Sequence, residues 1–323
     1  MAISILLVIL GFAFLIKGAD WMVDGATALA KKNNVSDLAI GLTIVAFGTS
    51  APELVVNSIA SFQGQSDIVF GNVIGSNNFN LFVILGITGL ILPIVVQSST
   101  VWKEIPISFV AAVLLFVLAN HFLWQDEFVL SRLDGAFFLL MFGLFLYYVY
   151  SQMKREAPQA DAVQQGPPPV NKPNLTIWGL IVMGLVGLVA GGKLVVDNAV
   201  EIATTLGVSQ KIIGLTIIAA GTSLPELVTS VVAALKKNSD IAIGNVIGSN
   251  IFNIFLILAV SSLIHPIAYN PTFNTEIYLL LGGTAFLFIA MFTGGRKKLD
   301  RWEAGLLLGV FVLYTIYLVG KEL

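Results

Sequence analysis

One stretch of this chain occurs twice. Residues 40–87 read IGLTIVAFGTSAPELVVNSIASFQGQSDIVFGNVIGSNNFNLFVILGI, and residues 213–260 read IGLTIIAAGTSLPELVTSVVAALKKNSDIAIGNVIGSNIFNIFLILAV. The spacing is constant: Glu53 and Glu226 lie 173 positions apart, and the match runs without a gap from Gly18 and Gly191 through Asp24 and Asp197 to Leu85 and Leu258. Such a duplication requires a fold built from two related halves. Each copy also places a glutamate, Glu53 or Glu226, inside a long apolar run beside a proline, two hydroxyl residues and a glycine.

The sequence around the copies is apolar enough for a membrane. Of 323 residues, 57% are hydrophobic and 11% charged, against roughly 25% charged in soluble domains. The apolar runs reach about 20 residues, the length that crosses a bilayer core of about 30 Å. Expected spans are 3–20, 38–61, 70–96, 104–121, 132–152, 174–193, 211–235, 243–264, 275–293 and 302–320. The expected fold is therefore an all-α integral membrane protein with ten transmembrane helices in two inverted five-helix repeats. Residues 1–152 form the first half, with its repeat at 40–87, and 174–323 the second, with its repeat at 213–260. Between them, 153–173 reads MKREAPQADAVQQGPPPVNKP, whose prolines, glutamines and charges mark a solvated cytoplasmic linker. The N-terminal run MAISILLVILGFAFLIKG lacks the basic start and cleavage site of a signal peptide and reads as a retained first span.

Several function classes drop out. Cysteine is absent, which removes disulfides, thiol catalysis and thiolate metal sites together. His121 and His265 are the two histidines, too far apart in sequence to support a zinc site, and both read as interfacial residues rather than ligands. No basic run or aromatic-interleaved basic patch suggests nucleic acid. A nucleophile and base pair for an enzyme is wanting. The expected setting is a multi-pass protein of the cell membrane, with the lipid bilayer as its surroundings, no resident cofactor and no obligate protein partner. Trp21, Trp102, Trp124, Trp178 and Trp302 fit an interfacial belt.

Lysine and arginine give the orientation, because cytoplasmic loops carry the excess. Lys31, Lys32, Lys103, Lys154, Arg155, Lys172, Lys236, Lys237, Arg296, Lys297, Lys298 and Arg301 fall after spans one, three, five, seven and nine, whereas Arg132, Lys193, Lys211 and Lys321 fall on the opposite side, with Lys17 near the end of the first span. Twelve against four places both termini outside the cell. With five spans per half, the second copy enters the membrane from the other face. Two oppositely oriented halves suit a transporter that opens one midplane site to either side in turn.

The repeated stretch carries the chemistry. In GTSAPELV and GTSLPELV the proline lacks an N–H and its ring clashes with the carbonyl four residues back, so Gly48 and Gly221 have freed carbonyls. Irregular backbone at membrane depth survives only where protein or a water-lined cavity satisfies it. Thr49, Ser50, Thr222 and Ser223 stand at that break, with Glu53 and Glu226 within a turn. GNVIGSNNFN and GNVIGSNIFN add Ser76, Asn77 and Asn80, then Ser249, Asn250 and Asn253. Asn77 and Asn250 read as packing residues more than as ligands. The set is carboxylate, amide, hydroxyl and carbonyl oxygen, the donors that hard cations such as Ca²⁺ or Na⁺ require. A midspan glutamate costs about 2.5–3.5 kcal/mol on insertion scales, and neither 38–61 with 70–96 nor 212–235 with 243–264 contains any Lys or Arg. The compensating charge is a transported ion or a proton; two carboxylates match one Ca²⁺ or gather several Na⁺. Buried, protonated structural glutamates are the plain alternative. Asp24 and Asp197 read as residues that cap or solvate a funnel or, at least equally, as structural helix-end residues, and Asp67 and Asp240 as ordinary helix N-terminal carboxylates.

At these residues the sequence resembles the calcium/cation antiporter superfamily, and most closely its prokaryotic sodium/calcium exchanger branch. The likeness covers essentially the whole chain through the doubled motifs G-T-S-x-P-E and G-N-x-x-G-S-N. It implies secondary active exchange of Na⁺ for Ca²⁺ at one central site, with Glu53 and Glu226 as the Ca²⁺ carboxylates. By the same resemblance, Thr49 and Thr222 lend backbone carbonyls to Ca²⁺. Ser50, Ser76, Ser223 and Ser249, with the carbonyls of Ala46 and Ala219, would hold Na⁺, and spans one and six would form a sliding gate. The family often places an aspartate at one of the two central asparagine positions, tied to K⁺ in potassium-dependent members; here Asn80 and Asn253 are both amides, which argues against K⁺ dependence. The cytosolic Ca²⁺-sensing domain of animal exchangers has only the short linker in its place. Two other readings stand beside this one: a Ca²⁺/H⁺ antiporter of the same fold, and a cation channel, against which count the inverted halves and the lack of a charged filter ring.

Overall fold

The computed structural model describes residues 2–120, 128–162, 173–206, 219–294 and 297–322. It is built from helices: α1 (Ala2–Lys32), α2 (Asp37–Thr49), α3 (Ala51–Phe62), α4 (Ser66–Ile91), α5 (Thr100–Ala119), α6 (Arg132–Ala162), α7 (Asn174–Thr205), α8 (Leu224–Leu235), α9 (Ser239–Ile264), α10 (Pro271–Ala290) and α11 (Arg301–Glu322). Among the described residues, eight helices are long and apolar enough to cross a bilayer, nine if the bent pair α2 and α3 counts as one span. The expected span 211–235 is represented by a short Ala219–Gly221 turn and the apolar helix α8, and its beginning falls outside the described residues. The chain is a multi-pass membrane protein.

Some boundaries differ from the sequence expectation, each for a local reason. Helices α1 and α7 run for 31 and 32 residues, well past the expected ends at 20 and 193. The charges read as ends sit on continuing helix, where Lys17 pairs with Asp20 at 2.9 Å and Lys193 with Asp197 at 2.9 Å along one face. At about 1.5 Å per residue both helices are longer than a ~30 Å core requires. Asp24 and Asp197 are therefore not helix-end residues; Asp24 instead pairs with Lys236 at 2.7 Å. Helix α6 likewise continues through Lys154 to Ala162, so the first part of the expected linker is helical, and 163–172 lies outside the described residues.

The duplication reappears as repeated geometry. Helices α3 and α8, and helices α4 and α9, begin and end at positions matched by the same offset. Two short ladders join the halves. Ile94–Val95 (β1) pairs antiparallel with Lys298–Leu299 (β4), and Val129–Leu130 (β2) with Ile267–Ala268 (β3). Both β1 and β3 follow the repeat, so each half contributes one strand to its partner's edge.

Two apolar clusters divide the interior. The larger surrounds α4 and α9, whose Phe70, Ile74, Leu81, Ile84, Ile247, Ile251 and Phe255 meet Ile105, Leu115, Phe138, Leu280, Leu287 and Leu307 from α5, α6, α10 and α11. The smaller belongs to α1 and α7 with parts of α2, α8 and α9, and holds Leu15, Met22, Ile177, Ile181, Leu188 and Ala233. Helices α1 and α7 meet through glycines. A Cβ on Gly18 would stand 2.7 Å from the Leu188 nitrogen and 2.8 Å from the Gly184 carbonyl, and one on Gly191 2.7 Å from the Gly11 carbonyl. Small residues let helix backbones approach in a membrane, where lipid removes the usual hydrophobic drive.

Candidate functional site

The break that the proline imposes is where the site begins. Ser50 leaves the helical region at φ −84°, ψ 4°, α3 restarts with Pro52 in its first turn, and α2 and α3 bend by 47°. Ser223 does the same before α8, at φ −91°, ψ 8°. Each restart places a glutamate in a first helical turn, Glu53 on α3 and Glu226 on α8, where the positive end of the helix favours a carboxylate. Both are 1% exposed. Helix α7 lies over both breaks, its Leu185 against Gly48 and its Val196 against Gly221.

Ser50 Oγ donates to Glu226 Oε1 at 2.9 Å, which brings the two motifs together across the halves. The backbone of each glutamate is also held. Asn57 Nδ2 donates to the Glu53 carbonyl at 2.7 Å, and Asn245 Nδ2 donates to the Glu226 carbonyl at 3.2 Å and to Ser230 Oγ at 3.0 Å. Thr49 Oγ1 donates to Asn245 Oδ1 at 3.0 Å and to the Ala46 carbonyl at 3.3 Å, and Ser76 Oγ to Asn72 Oδ1 at 3.3 Å.

A second set of oxygens stays free of protein partners. Glu53 Oε1 and Oε2, Glu226 Oε2, Thr222 Oγ1, Ser223 Oγ, Ser249 Oγ, Asn80 Oδ1 and Asn253 Oδ1 are buried and make no hydrogen bond within the protein. Unmet buried acceptors are costly, and these all come from the duplicated motif. Neither α2 and α3, nor α4, α8 and α9, carries a lysine or arginine. The donor set fits a hard cation. Among the described residues no group of three or more Asp, Glu, His or Cys gathers, so the formal charge here is that of two carboxylates.

Of the residues expected from sequence, Thr49, Ser50, Glu53, Ser76, Asn80, Ser223, Glu226, Ser249 and Asn253 are buried, and Thr222 is half-buried. Ala46 ends up inside the broken segment, and Ala219 opens the short turn before α8. The sequence reading missed Asn57 and Asn245, which hold the glutamate backbones; Asn245 was visible as the first asparagine of the second GNVIGSN. It also placed Asn77 and Asn250 as packing residues, whereas they bond the other two amides. Asn80 Nδ2 donates to Asn250 Oδ1 at 3.0 Å and Asn253 Nδ2 to Asn77 Oδ1 at 2.9 Å.

A model of the family described as sodium/calcium exchanger protein matches residues 3–151 and 176–320. The chain belongs to the sodium/calcium exchanger family. Its relatives include the sodium/calcium exchanger MaX1 of Methanosarcina acetivorans, 35% identical with 98% of each chain covered. CaxA of Alkalimonas amylolytica, named only as an antiporter, is 38% identical over 99% of this chain and all of its own length. Among solved structures, the sodium-calcium exchanger NCX_Mj soaked with Na⁺ and Sr²⁺ superposes with a TM-score of 0.81 at 31% identity, covering 98% of both chains. His265 is exposed, with Nδ1 2.7 Å from the Pro266 carbonyl, and His121 lies outside the described residues. His265→Ala is expected to leave Ca²⁺ flux into proteoliposomes at the parent rate; a loss of more than about twofold, beyond what an ordinary surface change brings, would place a histidine in the transport path.

Proposed function

We propose that this exchanger is a Na⁺/Ca²⁺ antiporter in which Glu53 and Glu226 form one central site, exposed to either face in turn. In this reading ten helices form two inverted halves, both termini lie outside, Ca²⁺ and Na⁺ are cargo, and no resident cofactor takes part. The observation that carries it is the pair of buried glutamates: both oxygens of Glu53 and Oε2 of Glu226, with the side-chain oxygens of Ser223, Ser249, Asn80 and Asn253, make no hydrogen bond within the protein. Two carboxylates balance one Ca²⁺. The hydroxyls of Ser50, Ser76, Ser223 and Ser249 extend the same oxygen set toward the additional, smaller-charge Na⁺ positions, with the carbonyls of Ala46 and Ala219, while Thr49 and Thr222 lend carbonyls to Ca²⁺. Competition for shared oxygens couples the two ions, since loading with either displaces the other. The relatives' names support sodium coupling, and the glycine-lined α1–α7 pair, with its own apolar cluster and its contacts on Gly48 and Gly221, supports movement of that pair against a fixed core.

The test is Ca²⁺ uptake into proteoliposomes under an outward Na⁺ gradient or an outward H⁺ gradient, with the membrane potential clamped. Saturable uptake driven by Na⁺ is the expected result. Uptake driven by H⁺ alone would move the protein to Ca²⁺/H⁺ exchange and withdraw the sodium roles of the four serines, and flux that needs no counter-ion would overturn exchange itself.

A further inference from the structure

The four asparagines of the repeated GSN-x-x-N segments form a closed network that neither the motif nor the proposed ion chemistry requires. Asn77 Nδ2 donates to the Asn250 backbone carbonyl at 3.3 Å, and Asn250 Nδ2 to the Asn77 carbonyl at 3.4 Å. A carbonyl can only accept, so the orientation of both amides is fixed by the backbone. Their Oδ1 atoms are thereby turned to the other branch, where Asn253 Nδ2 meets Asn77 Oδ1 at 2.9 Å and Asn80 Nδ2 meets Asn250 Oδ1 at 3.0 Å. An Oδ1 can only accept, so Asn80 and Asn253 have to present nitrogen there and oxygen on the opposite side. Those two oxygens are the ones left buried and without a protein partner.

Position makes this orientation matter. Asn80 and Asn253 each lie in a π-helical turn, Phe79–Ile84 and Asn253–Ile257, a distortion that interrupts the regular helix and is frequent at functional sites. The turn holding Asn80 packs on α8, which carries Glu226, and the turn holding Asn253 packs on α3, which carries Glu53. An amide presents either a cation-binding oxygen or a cation-repelling NH₂ group, and nothing in its shape separates the two. We infer that Asn77 and Asn250 are positioning residues that lock the amides of Asn253 and Asn80 with oxygen toward the cation, crosswise between the halves. This rests on the central-site reading above and deepens it. The four amides are 0–1% exposed, and removing Asn77 takes away the protein partner of the Asn253 amide, which is then free to turn its NH₂ inward.

The consequence is a double-mutant cycle with a sharp signature. A carboxylate offers oxygen in either flip, so an aspartate at 253 has no orientation to lose. Asn77→Ala is expected to weaken Ca²⁺ binding by about tenfold in the parent chain, the scale of leaving a buried amide without its hydrogen-bond partner. The same change in an Asn253→Asp background is expected to shift it by less than about threefold. The measurement is calorimetric titration of Ca²⁺ into the full chain in detergent. The mirror cycle, Asn250→Ala with Asn80→Asp, reads the other half and stands in where the first alanine variant does not fold. An equal loss in both backgrounds would reduce the asparagines to scaffolding and overturn the inference, as would unchanged affinity in the alanine variants. Failure of the parent chain to bind Ca²⁺ would instead strike the central-site reading, and this inference with it.

Discussion

Glu53→Gln and Glu226→Gln are each expected to abolish Na⁺-driven Ca²⁺ uptake while leaving a folded protein. Glutamine keeps the shape and removes one negative charge. A pair of unit charges about 4 Å apart is worth roughly 4 kcal/mol at an effective dielectric near 20, so even one charge of the cation accounts for close to three decades of affinity. The fold loses little, because neither oxygen of Glu53 has a partner to give up and Glu226 Oε1 is still able to accept from Ser50 as an amide oxygen. An ionised carboxylate buried without a counter-charge is itself destabilising. In the absence of ions the glutamine variants are therefore expected to melt at or above the parent temperature. With Ca²⁺ the order reverses: a ligand at 100 times its dissociation constant stabilises by about 2.7 kcal/mol, an increment the parent gains and both variants lack. Thermal melts with and without Ca²⁺, beside the flux assay, separate loss of binding from loss of fold. Retained transport in both variants would remove the two glutamates from the centre of the mechanism.

The part of this site that can be read directly from the sequence is the part that repeats. Proline after two hydroxyl residues fixed the place of the break, and Glu53 and Glu226 stood out because an apolar span rarely tolerates a carboxylate. What stayed hidden depends on partners far apart in the chain. Asn57 looks like any polar residue on α3, and its counterpart is Ser230, so the duplication gives it no emphasis; the task it performs for Glu53 falls in the other half to Asn245, from a neighbouring helix. Asn77 and Asn250 show the same limit, since a motif displays an amide without saying which way it faces. The fold shows it too. Lys17 and Lys193 resemble the charged ends of spans until the carboxylate one turn on is seen to share their face, and a helix can then run on for another dozen residues. Charge in an apolar run marks an end only when nothing along the same face neutralises it.

Gly184→Ala is expected to be among the costliest single methyls in the membrane region, on a par with one at Gly18 or Gly191. A Cβ there would lie 2.7 Å from the Met22 nitrogen and 2.9 Å from both the Gly18 carbonyl and the Met22 Cα, all of them backbone atoms of α1. No rotamer change relieves contact with backbone, so α1 and α7 have to separate along their length. Overpacking of this kind costs about 1–3 kcal/mol, without the partial relief that a flexible neighbour provides. Gly143→Ala on α6, with no described atom within 4 Å of its would-be Cβ, is the control; a mid-helix alanine there is expected to be neutral or stabilising by up to about 1 kcal/mol. The larger effect concerns rate. Where the two backbones touch through glycine, no side-chain knob locks the register at that contact, so less packing opposes a shift of the pair. A methyl at 184 inserts such a knob next to Gly18, and α7 carries the Leu185 and Val196 that lie over both breaks. Gly184→Ala is therefore expected to lower the melting temperature and slow exchange at least about tenfold, the effect of some 1.4 kcal/mol on a barrier. Ca²⁺ affinity is expected to hold, because the proposed ligands lie on or beside α2, α3, α4, α8 and α9. Slow exchange with intact binding would tie transport to movement of the α1–α7 pair, and parallel loss of binding and rate would mean that this helix pair shapes the site itself instead of uncovering it.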